Sequence, residues 1–497
     1  MVSTTTPTTY VDKDALRTRF AAAMSSMYRS EVPLYSDLID IVHDANERML
    51  SSVNAKAQPS DATGIKANIE RLTQERHGAI RLGTPYELRT IKRIFEVLGM
   101  HPIGYYDLSI AGLPMHATCF RPLTVSSLNS NPFRVFTTLL RPELLASEEA
   151  RRLSLKLLEK RNIFSDLLLN ILDVAEMQGG RLKEEQTEAF IQEALSTFSW
   201  QSVAAATIDQ YQVLKAEHPI LADIACFQSA HINHLTPRTL DISAVHLAMK
   251  KAGMAAKDAI EGPPARECPI LLRQTSFLAL EEAVRFRQNE SQSIALGSQK
   301  AMIEARHKAR FGEIEERGAA VTPKGRELYD RLLRESKRLS AGATAIQAAV
   351  IATKVFKEFP DTWRELRLQG LIYCEFYVKQ AATMSSLDLD LKDGPILEQL
   401  ISMNAVEALP ITYEDFLPFS AAGIFQSNLQ TGNSSKSASQ YSLGVSQSVA
   451  DPKGLEKAMD AKISDLDAWY SAVQTKSLED VGKSLGFTLG ELMPNNV

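Results

Sequence analysis

The chain has 497 residues and an ordinary globular composition, with 44% hydrophobic and 23% charged residues. Its formal net charge of −5 lacks the basic excess typical of nucleic-acid binders, although one or two local arginines are enough to bind a small anion. No apolar run approaches the roughly 18 residues that span a bilayer. The composition therefore predicts a soluble protein that binds neither nucleic acid nor membranes.

The cysteines indicate a reducing compartment. Cys119, Cys226, Cys268 and Cys374 lie far apart and form no CxxC pair. We therefore expect neither a zinc ribbon nor a disulfide framework. The Thr- and Pro-rich N-terminus has neither the basic nor the apolar segment of a secretory signal. A cytoplasmic protein with a disordered tail over residues 1–12 is predicted.

The first part of the chain predicts helices followed by a sheet. Apolar spacing over Lys13–Leu50, interrupted at Pro33, indicates two helices. A strand is predicted at His77–Gly83, and Thr84-Pro85 indicates the start of a helix that reaches Leu98. Short β-branched or aromatic runs between turn residues indicate three more strands: His101–Leu108, Met115–Pro122 and Phe133–Leu140.

The rest of the chain alternates between helical and sheet-like sequence. Pro142–Glu217 has helical spacing. Around a short helix at Ala244–Lys250, sheet-like sequence resumes in three runs: Ile224–Leu235, Cys268–Phe277 and Ala309–Glu315. Two amphipathic helices are then predicted, at Gly325–Lys357 and Trp363–Thr383. Two short helices close the chain, at Leu455–Val473 and Leu478–Leu485.

The predicted fold class is α+β, because strands and helices follow one another in blocks. The order strand, helix, strands occurs twice, although the sequence shows no residue-level repeat. We expect a single catalytic domain over residues 13–428, a Ser-rich loop at 429–450 and C-terminal helices at 451–497. Within that domain we expect sheet modules at about 70–140 and 220–320, a helical insert at about 142–217 and a helical cover at about 324–409.

Three polar clusters stand out in strand-like sequence, whereas the short motifs of nucleotide-binding loops, zinc proteases and serine hydrolases are absent. The clusters are Arg76–Arg81, His231–Arg238 and Arg310–Gly318. In the first, His77 and Arg81 share one face of a strand about 13 Å apart, at ~3.3 Å per residue. This spacing suits a metal ligand and an anion clamp in one pocket.

Each cluster also has an ordinary interpretation: a solvated surface pair, a core histidine and a charged edge strand. On a strand, His231 and His234 point to opposite faces, and spacing alone does not choose between them as ligands. Glu313 and Glu315 share a face. Together the clusters offer two imidazoles and a carboxylate, which is the donor set of a facial-triad iron(II) site.

At these residues the sequence resembles the 2-oxoadipate dioxygenase/decarboxylase family, also called 2-hydroxyglutarate synthase. The resemblance runs from about Leu16 to Asn428. It rests on strings in the right order: Gln74–Arg81, Gly104–Asp107, His231–Asp241, Glu261–Pro264, Pro269–Phe277, Ala309–Glu315, Asp415–Pro418 and Ser420–Phe425. The resemblance implies sheets like those of the vicinal oxygen chelate fold, with additional helices packed around them.

The resemblance also implies roles for individual residues. His77, His234 and Glu313 stand where the family has its iron ligands, and Arg81 stands where it has a substrate-binding arginine. Phe419 stands where bacterial relatives are expected to have a smaller valine that contacts substrate. A phenylalanine side chain facing the pocket would narrow it, so the preferred substrate length is open.

The reaction implied is oxidation of 2-oxoadipate by dioxygen to CO2 and 2-hydroxyglutarate, a step in lysine breakdown, with iron(II) as cofactor. The expected partners are thus a small 2-oxo dicarboxylic acid and dioxygen. Arg81 would hold a substrate carboxylate by a charge-assisted pair. Arg238 and Arg273 are further candidates for a second anchor, and each equally fits a structural ion pair.

Two alternatives stay open from the sequence. A related chelate-fold lyase or isomerase would use the same metal site without oxygen. A metal-free helical binding protein would have the three clusters as ordinary ion pairs.

Overall fold

A five-stranded sheet carries the first polar cluster in the computed structural model of the chain. The structure describes residues 9–54, 71–288, 302–308, 310–379, 395–417 and 449–492. The chain forms two compact units. The first unit consists of Met1–Lys257, Gln274–Glu315 and Phe416–Ile463, and the second of Asp258–Arg273, Glu316–Asp415 and Ser464–Val497.

Strands and helices are both numerous, so the fold is mixed α+β. The strands are β1 (Arg76–Leu82), β2 (His101–Asp107), β3 (Met115–Arg121), β4 (Arg134–Leu140), β5 (Val203–Thr207), β6 (Leu235–Pro237), β7 (Leu272–Ser276), β8 (Glu281–Arg287), β9 (Met302–Lys308), β10 (Glu313–Arg317), β11 (Cys374–Val378) and β12 (Val406–Pro410).

The longer helices begin at the N-terminus of the chain and recur between the strands. They are α1 (Lys13–Glu31), α2 (Pro33–Asn54), α3 (Pro85–Val97), α4 (Val125–Ser130), α5 (Glu148–Glu159), α6 (Asp166–Met177), α7 (Glu184–Phe198), α8 (Ile208–Glu217), α9 (Pro219–Ala225), α10 (Ile242–Lys251), α11 (Pro323–Leu339), α12 (Ala345–Val355), α13 (Trp363–Leu368), α14 (Ile396–Ser402), α15 (Pro452–Met459), α16 (Leu466–Leu485) and α17 (Leu489–Leu492).

The sheet that carries β1 has the strand order β2-β3-β4-β1-β6. β1 runs parallel to β4 and antiparallel to β6, and all seven of its residues are buried. Across these pairs His77 lies opposite Arg134 on one side and Thr236 on the other. Because its backbone is hydrogen-bonded to both neighbours, β1 is a rigid support for His77 and Arg81.

The early secondary-structure predictions are confirmed. The two N-terminal helices are separated at Val32, one residue before the predicted break. Thr84 caps α3, with its hydroxyl accepting from Glu87 N at 3.2 Å and Pro85 in the first turn. The strands predicted between His101 and Leu140 are β2, β3 and β4.

The run Ile224–Leu235, predicted to be sheet-like, is mostly not a strand. His218 and Pro219 start helix α9, which reaches Ala225, and only Leu235–Pro237 pair with β1. His231 and His234 therefore lie in the irregular segment between α9 and β6. This segment is tied to β1 by a hydrogen bond from Asn233 N to Ala79 O at 3.0 Å.

Several helices predicted from apolar spacing are longer than the helices in the structure. The helix predicted over Trp363–Thr383 ends at Leu368, because Gly370 turns the chain at φ +62° and Cys374–Val378 forms β11. Within the region 142–217, predicted to be helical, Val203–Thr207 forms β5. The long helix predicted over Gly325–Lys357 is divided into α11 and α12. The C-terminal prediction also misplaced a break, since α16 is continuous from Leu466 to Leu485.

Three predictions are not decided by these elements. Most of the predicted tail and of the Ser-rich loop at 429–450 lies outside the described residues. The predicted domain limits, including the insert and the cover, stay a prediction.

Among the helices that the structure describes, none combines the length and apolar character needed to cross a bilayer.

We expect Gly78→Ala to destabilise the first unit, because a Cβ on this β1 residue would lie 2.4 Å from Ile232 Cδ1 and 3.0 Å from His234 O. Overpacking of this kind costs about 1–3 kcal/mol. Urea unfolding measures the change. Gly490→Ala is the matched control, since no heavy atom lies within 4 Å of a Cβ there. Equal unfolding midpoints for the two variants would contradict the prediction.

Candidate metal centre

His77 lies between two carboxylates. Its Nε2 is 3.1 Å from Glu313 Oε1, and its Nδ1 is 3.0 Å from Glu315 Oε2. The ring also packs edge-on against Phe416, with centroids 4.9 Å apart. As a metal ligand, His77 would carry its proton on Nδ1, next to Glu315, and present Nε2 as the lone-pair donor.

His234 is oriented in the same manner by a neutral partner. Its Nδ1 lies 2.9 Å from Thr236 Oγ1, two residues along the chain, so Nε2 takes no part in this contact. The ring stacks on Phe311, with centroids 4.9 Å apart and an interplanar angle of 23°. Within the part of the chain that the structure describes, Nε2 has no hydrogen-bond partner.

Glu313, the first residue of β10, has one carboxylate oxygen held and the other unpaired. Oε1 accepts from Thr236 Oγ1 at 3.1 Å and from Gln274 Nε2 at 2.9 Å. Oε2 has no partner among the described residues. The preceding Gly312 allows a close approach to the core, because a Cβ there would lie 2.0 Å from the ring of Phe277.

The three side chains meet in one place. One ligand atom from each of His77, His234 and Glu313 lies within 4.8 Å of the others, and none of the three side chains is exposed. A buried polar atom without a partner costs about 1–3 kcal/mol, and among the described residues neither His234 Nε2 nor Glu313 Oε2 has a hydrogen-bond partner. A divalent cation fits this donor set, because nitrogen and carboxylate ligands suit first-row metals.

The electrostatics also favour a bound cation. Burial lowers the pKa of His234 to about 4, so this ring is in its neutral, ligating form at pH 7. Burial also acts to lower the pKa of His77, but Glu315 and Glu313 outweigh it and the net shift is upward. Two carboxylates thus create a negative potential at His77 that a cation would neutralise.

The other predicted site residues lie at different places. Arg81 is on β1 and pairs with Asp223, with Nη1 2.5 Å from Oδ2. Arg238 pairs with Glu75 at 3.1 Å, in the first unit. In the second unit, Arg273 pairs with Glu316 at 3.2 Å. Phe419 lies outside the described residues. His231, the histidine that spacing left as an alternative, is not part of the cluster and contacts Asp223 instead.

The residues that orient the donors were not identified from the sequence. Thr236 and Glu315 hold the two imidazoles, and Gln274 holds the Glu313 carboxylate. The sequence gives a weak indication for Thr236 and Glu315, because each lies two residues from a predicted metal ligand in extended sequence. Gln274 gave no such signal, because β7 meets β10 only through sheet pairing.

The fold and the donor set define a mixed α+β protein with a buried candidate metal centre. A family model described as 2-oxoadipate dioxygenase/decarboxylase matches residues 20–428. A Pseudomonas putida protein of that name is 44% identical over 482 residues, which cover 96% of this chain and 98% of the relative. A Shigella flexneri protein of the same name is 45% identical over 87% of this chain and 94% of its own.

Solved structures agree with the sequence matches. The crystal structure of hydroxyglutarate synthase from Pseudomonas putida in complex with 2-oxoadipate superposes with a TM-score of 0.80 at 41% identity, covering 96% of this chain and 99% of that chain. The chain belongs to the 2-oxoadipate dioxygenase/decarboxylase family of enzymes.

Two buried histidines outside the donor set predict acid sensitivity. Burial, assisted by Arg141 at His116 and by Arg81 at His218, lowers the pKa of each to about 4. In the unfolded chain they titrate near 6.5. The unfolded state therefore binds more protons below that pH, and the free energy of unfolding falls as pH drops from about 6.5 towards 4.

The measurement is urea unfolding against pH in the presence of a chelator. His218→Asn keeps a side-chain acceptor for Ile220 N, which His218 Nδ1 binds at 3.1 Å, and removes the titrating group. We expect a pH dependence shallower by about one proton in this variant. An unchanged slope would show that His218 is not buried in its neutral form.

Proposed function

We propose that the protein converts 2-oxoadipate and dioxygen to 2-hydroxyglutarate and CO2, with iron(II) held by His77, His234 and Glu313. The observation that carries the proposal is the buried meeting of three potential ligand side chains, in which His234 Nε2 and Glu313 Oε2 have no hydrogen-bond partner among the described residues. The names of the relatives, and the 2-oxoadipate bound by the Pseudomonas putida enzyme, support the choice of substrate.

The reaction balances without a further co-substrate. The six-carbon 2-oxo acid loses C1 as CO2, the former keto carbon becomes the new carboxylate, and the neighbouring C3 methylene exchanges one hydrogen for the new hydroxyl group. Both atoms of dioxygen enter 2-hydroxyglutarate, one in the new carboxylate and one in the hydroxyl group, while CO2 keeps the oxygens of the C1 carboxylate. When bound, iron(II) would offer open coordination positions to the 2-oxo acid and dioxygen and pass electrons from the acid to dioxygen.

The chain's own contribution is orientation and exclusion of water. Thr236 and Glu315 each lie next to the Nδ1 of one imidazole, which leaves Nε2 of both rings as the candidate donor. Gln274 holds one oxygen of Glu313 and leaves the other available. The rings of Phe311 and Phe416 pack on the two histidines, so the donors meet in a dry environment in which electrostatic interactions are strong.

Arg81 would bind the substrate carboxylate that does not reach the metal. It lies four residues from His77 on β1 and therefore on the same face, about 13 Å along the strand before its long side chain is counted. A guanidinium is suited to bidentate recognition of a carboxylate. Arg238 and Arg273 as a second anchor, and Phe419 as a pocket residue, stay predictions.

The resemblance of the sequence strings also supports the finer parts of this assignment. We propose sheets of the vicinal-oxygen-chelate type with helical insertions and a helical cover. We further propose that the enzyme acts in the cytoplasm in lysine breakdown. The four cysteines, all buried and unpaired with one another, are consistent with a reducing compartment.

The proposal is tested by product analysis with 2-oxoadipate, iron(II) and air. We expect equimolar 2-hydroxyglutarate and CO2, with one dioxygen consumed per turnover. His234→Ala should abolish turnover and also the thermal stabilisation by added iron(II), since two donors remain of three. Thr353→Ala, an exposed helical position, is the control. Undiminished product under anaerobic conditions would instead indicate a metal-dependent lyase or isomerase.

Arg81→Ala tests the anchor separately. With 2-oxoadipate as substrate, loss of a charge-assisted pair worth about 1.5–3 kcal/mol should raise the Michaelis constant roughly 10- to 100-fold. Turnover of 2-oxohexanoate, which has the same chain length without the second carboxylate, should change little. Arg367→Ala removes a comparable pair, with Glu398, in the second unit and serves as control. An unchanged Michaelis constant would remove Arg81 from the pocket.

A further inference from the structure

A second buried polar cluster contacts Arg81, and no step proposed above uses its other members. Its centre is Asp223 on α9. Asp223 Oδ2 contacts Arg81 Nη1 at 2.5 Å, and Oδ1 contacts His307 Nε2 at 3.0 Å and His231 Nε2 at 3.2 Å. The other ring nitrogen of His307, Nδ1, lies 3.1 Å from the hydroxyl of Tyr211.

The cluster is deeply buried and its charges are defined. Exposure is 9% for Arg81, 5% for Asp223 and His307, 3% for His231 and 2% for Tyr211. Burial acts to raise the pKa of Asp223, but His231 and Arg81 outweigh it and hold the pKa well below its usual range. Asp223 is therefore an anion that accepts hydrogen bonds and donates none.

The direction of each hydrogen bond follows from that charge. His307 Nε2 must carry a proton to donate to Asp223, and with a single proton on the ring Nδ1 accepts from the Tyr211 hydroxyl. The chain of contacts therefore runs from Tyr211 through His307 and Asp223 to Arg81. These residues lie on α8, β9, α9 and β1, so four separate elements fix the position of one guanidinium.

A second acceptor for Arg81 comes from the segment that carries His234. When the amide of Asn233 is oriented so that its nitrogen donates to Ala79 O at 3.2 Å, its oxygen accepts from Arg81 Nη1 at 2.7 Å. Asn233 immediately precedes His234, so the guanidinium and a candidate ligand are positioned by one segment. A long side chain otherwise loses about 2 kcal/mol of rotamer entropy when it is ordered by a ligand.

We propose that Asp223, supported by His307 and Tyr211, is a positioning residue that aims Arg81 at the substrate and thereby sets the preference for dicarboxylic over monocarboxylic 2-oxo acids. This inference rests on the proposed function. Without the anion, a buried guanidinium lacks its charge partner and turns towards other acceptors, because an uncompensated buried charge is strongly unfavourable. The clamp would then be misplaced although Arg81 is still present.

The experiment compares steady-state kinetics with 2-oxoadipate and with 2-oxohexanoate in the iron(II)-loaded full chain. Asp223→Asn keeps the side-chain shape and removes the charge. We expect the kcat/KM ratio of the two substrates to fall at least tenfold, through weaker binding of the dicarboxylic acid, while kcat for 2-oxohexanoate and stabilisation by iron(II) are retained. An unchanged or increased ratio would overturn the proposal, as would an equal loss for both substrates.

A milder variant keeps the test valid if Asp223→Asn does not fold. Tyr211→Phe removes one oxygen at the far end of the chain of contacts, and we expect the same ratio to fall about two- to fivefold, as for one neutral hydrogen bond. No change in that ratio would likewise count against the proposal. Glu398→Gln, which neutralises the partner of Arg367 in the second unit, is the matched control.

The experiments distinguish failure of the proposed function from failure of the proposed role of Asp223. If the wild-type protein does not turn over 2-oxoadipate, the proposed function fails. If it does but Arg81→Ala keeps the preference for it, the function stands, and both the anchor and the role of Asp223 are rejected. If Arg81→Ala loses the preference and Asp223→Asn keeps it, the anchor stands and only the role of Asp223 is rejected.

Discussion

The complete burial of His77, His234 and Glu313 is the constraint on which the rest of the site depends. Out of water, each nitrogen and oxygen must find a partner or lower the stability of the fold. Four of these atoms have protein neighbours at 2.9–3.1 Å, whereas His234 Nε2 and Glu313 Oε2 have no partner within the described structure. These two unpartnered atoms thus lower the stability of the fold, and a bound cation would remove that destabilisation.

Elements with short-range signals were predictable from the sequence. Thr84-Pro85 marked the start of a helix, and alternating runs marked β2, β3 and β4. β11 was missed because its stability comes from pairing with β12, about thirty residues further on. A local pattern cannot report that pairing, so helical spacing around Trp363 was extended too far.

The candidate donors show a similar division. Spacing gave the types of ligand, but it could not choose between His231 and His234, because a strand was assumed where the chain is irregular. The family resemblance proposed His234, and the structure brings that residue to His77 and Glu313. Asp223 had no sequence signal at all. Its surroundings in the chain are apolar, and its proposed role rests on Arg81 from β1 and His307 from β9 meeting at one carboxylate, with Tyr211 from α8 in contact with His307.

Placing His77 and Arg81 on one strand has a consequence for how the site can evolve. The distance between a ligand and a clamp on the same face changes only in steps of two residues, about 6.6 Å, which is several times the length that one methylene adds to a substrate. Adaptation to a neighbouring homologue in a series of 2-oxo acids therefore cannot proceed by shifting either group along β1. With Arg81 as the proposed clamp, such adaptation would come from the tilt of the guanidinium, and the acceptor on α9 would then be a point of evolutionary adjustment that lies away from the reacting atoms.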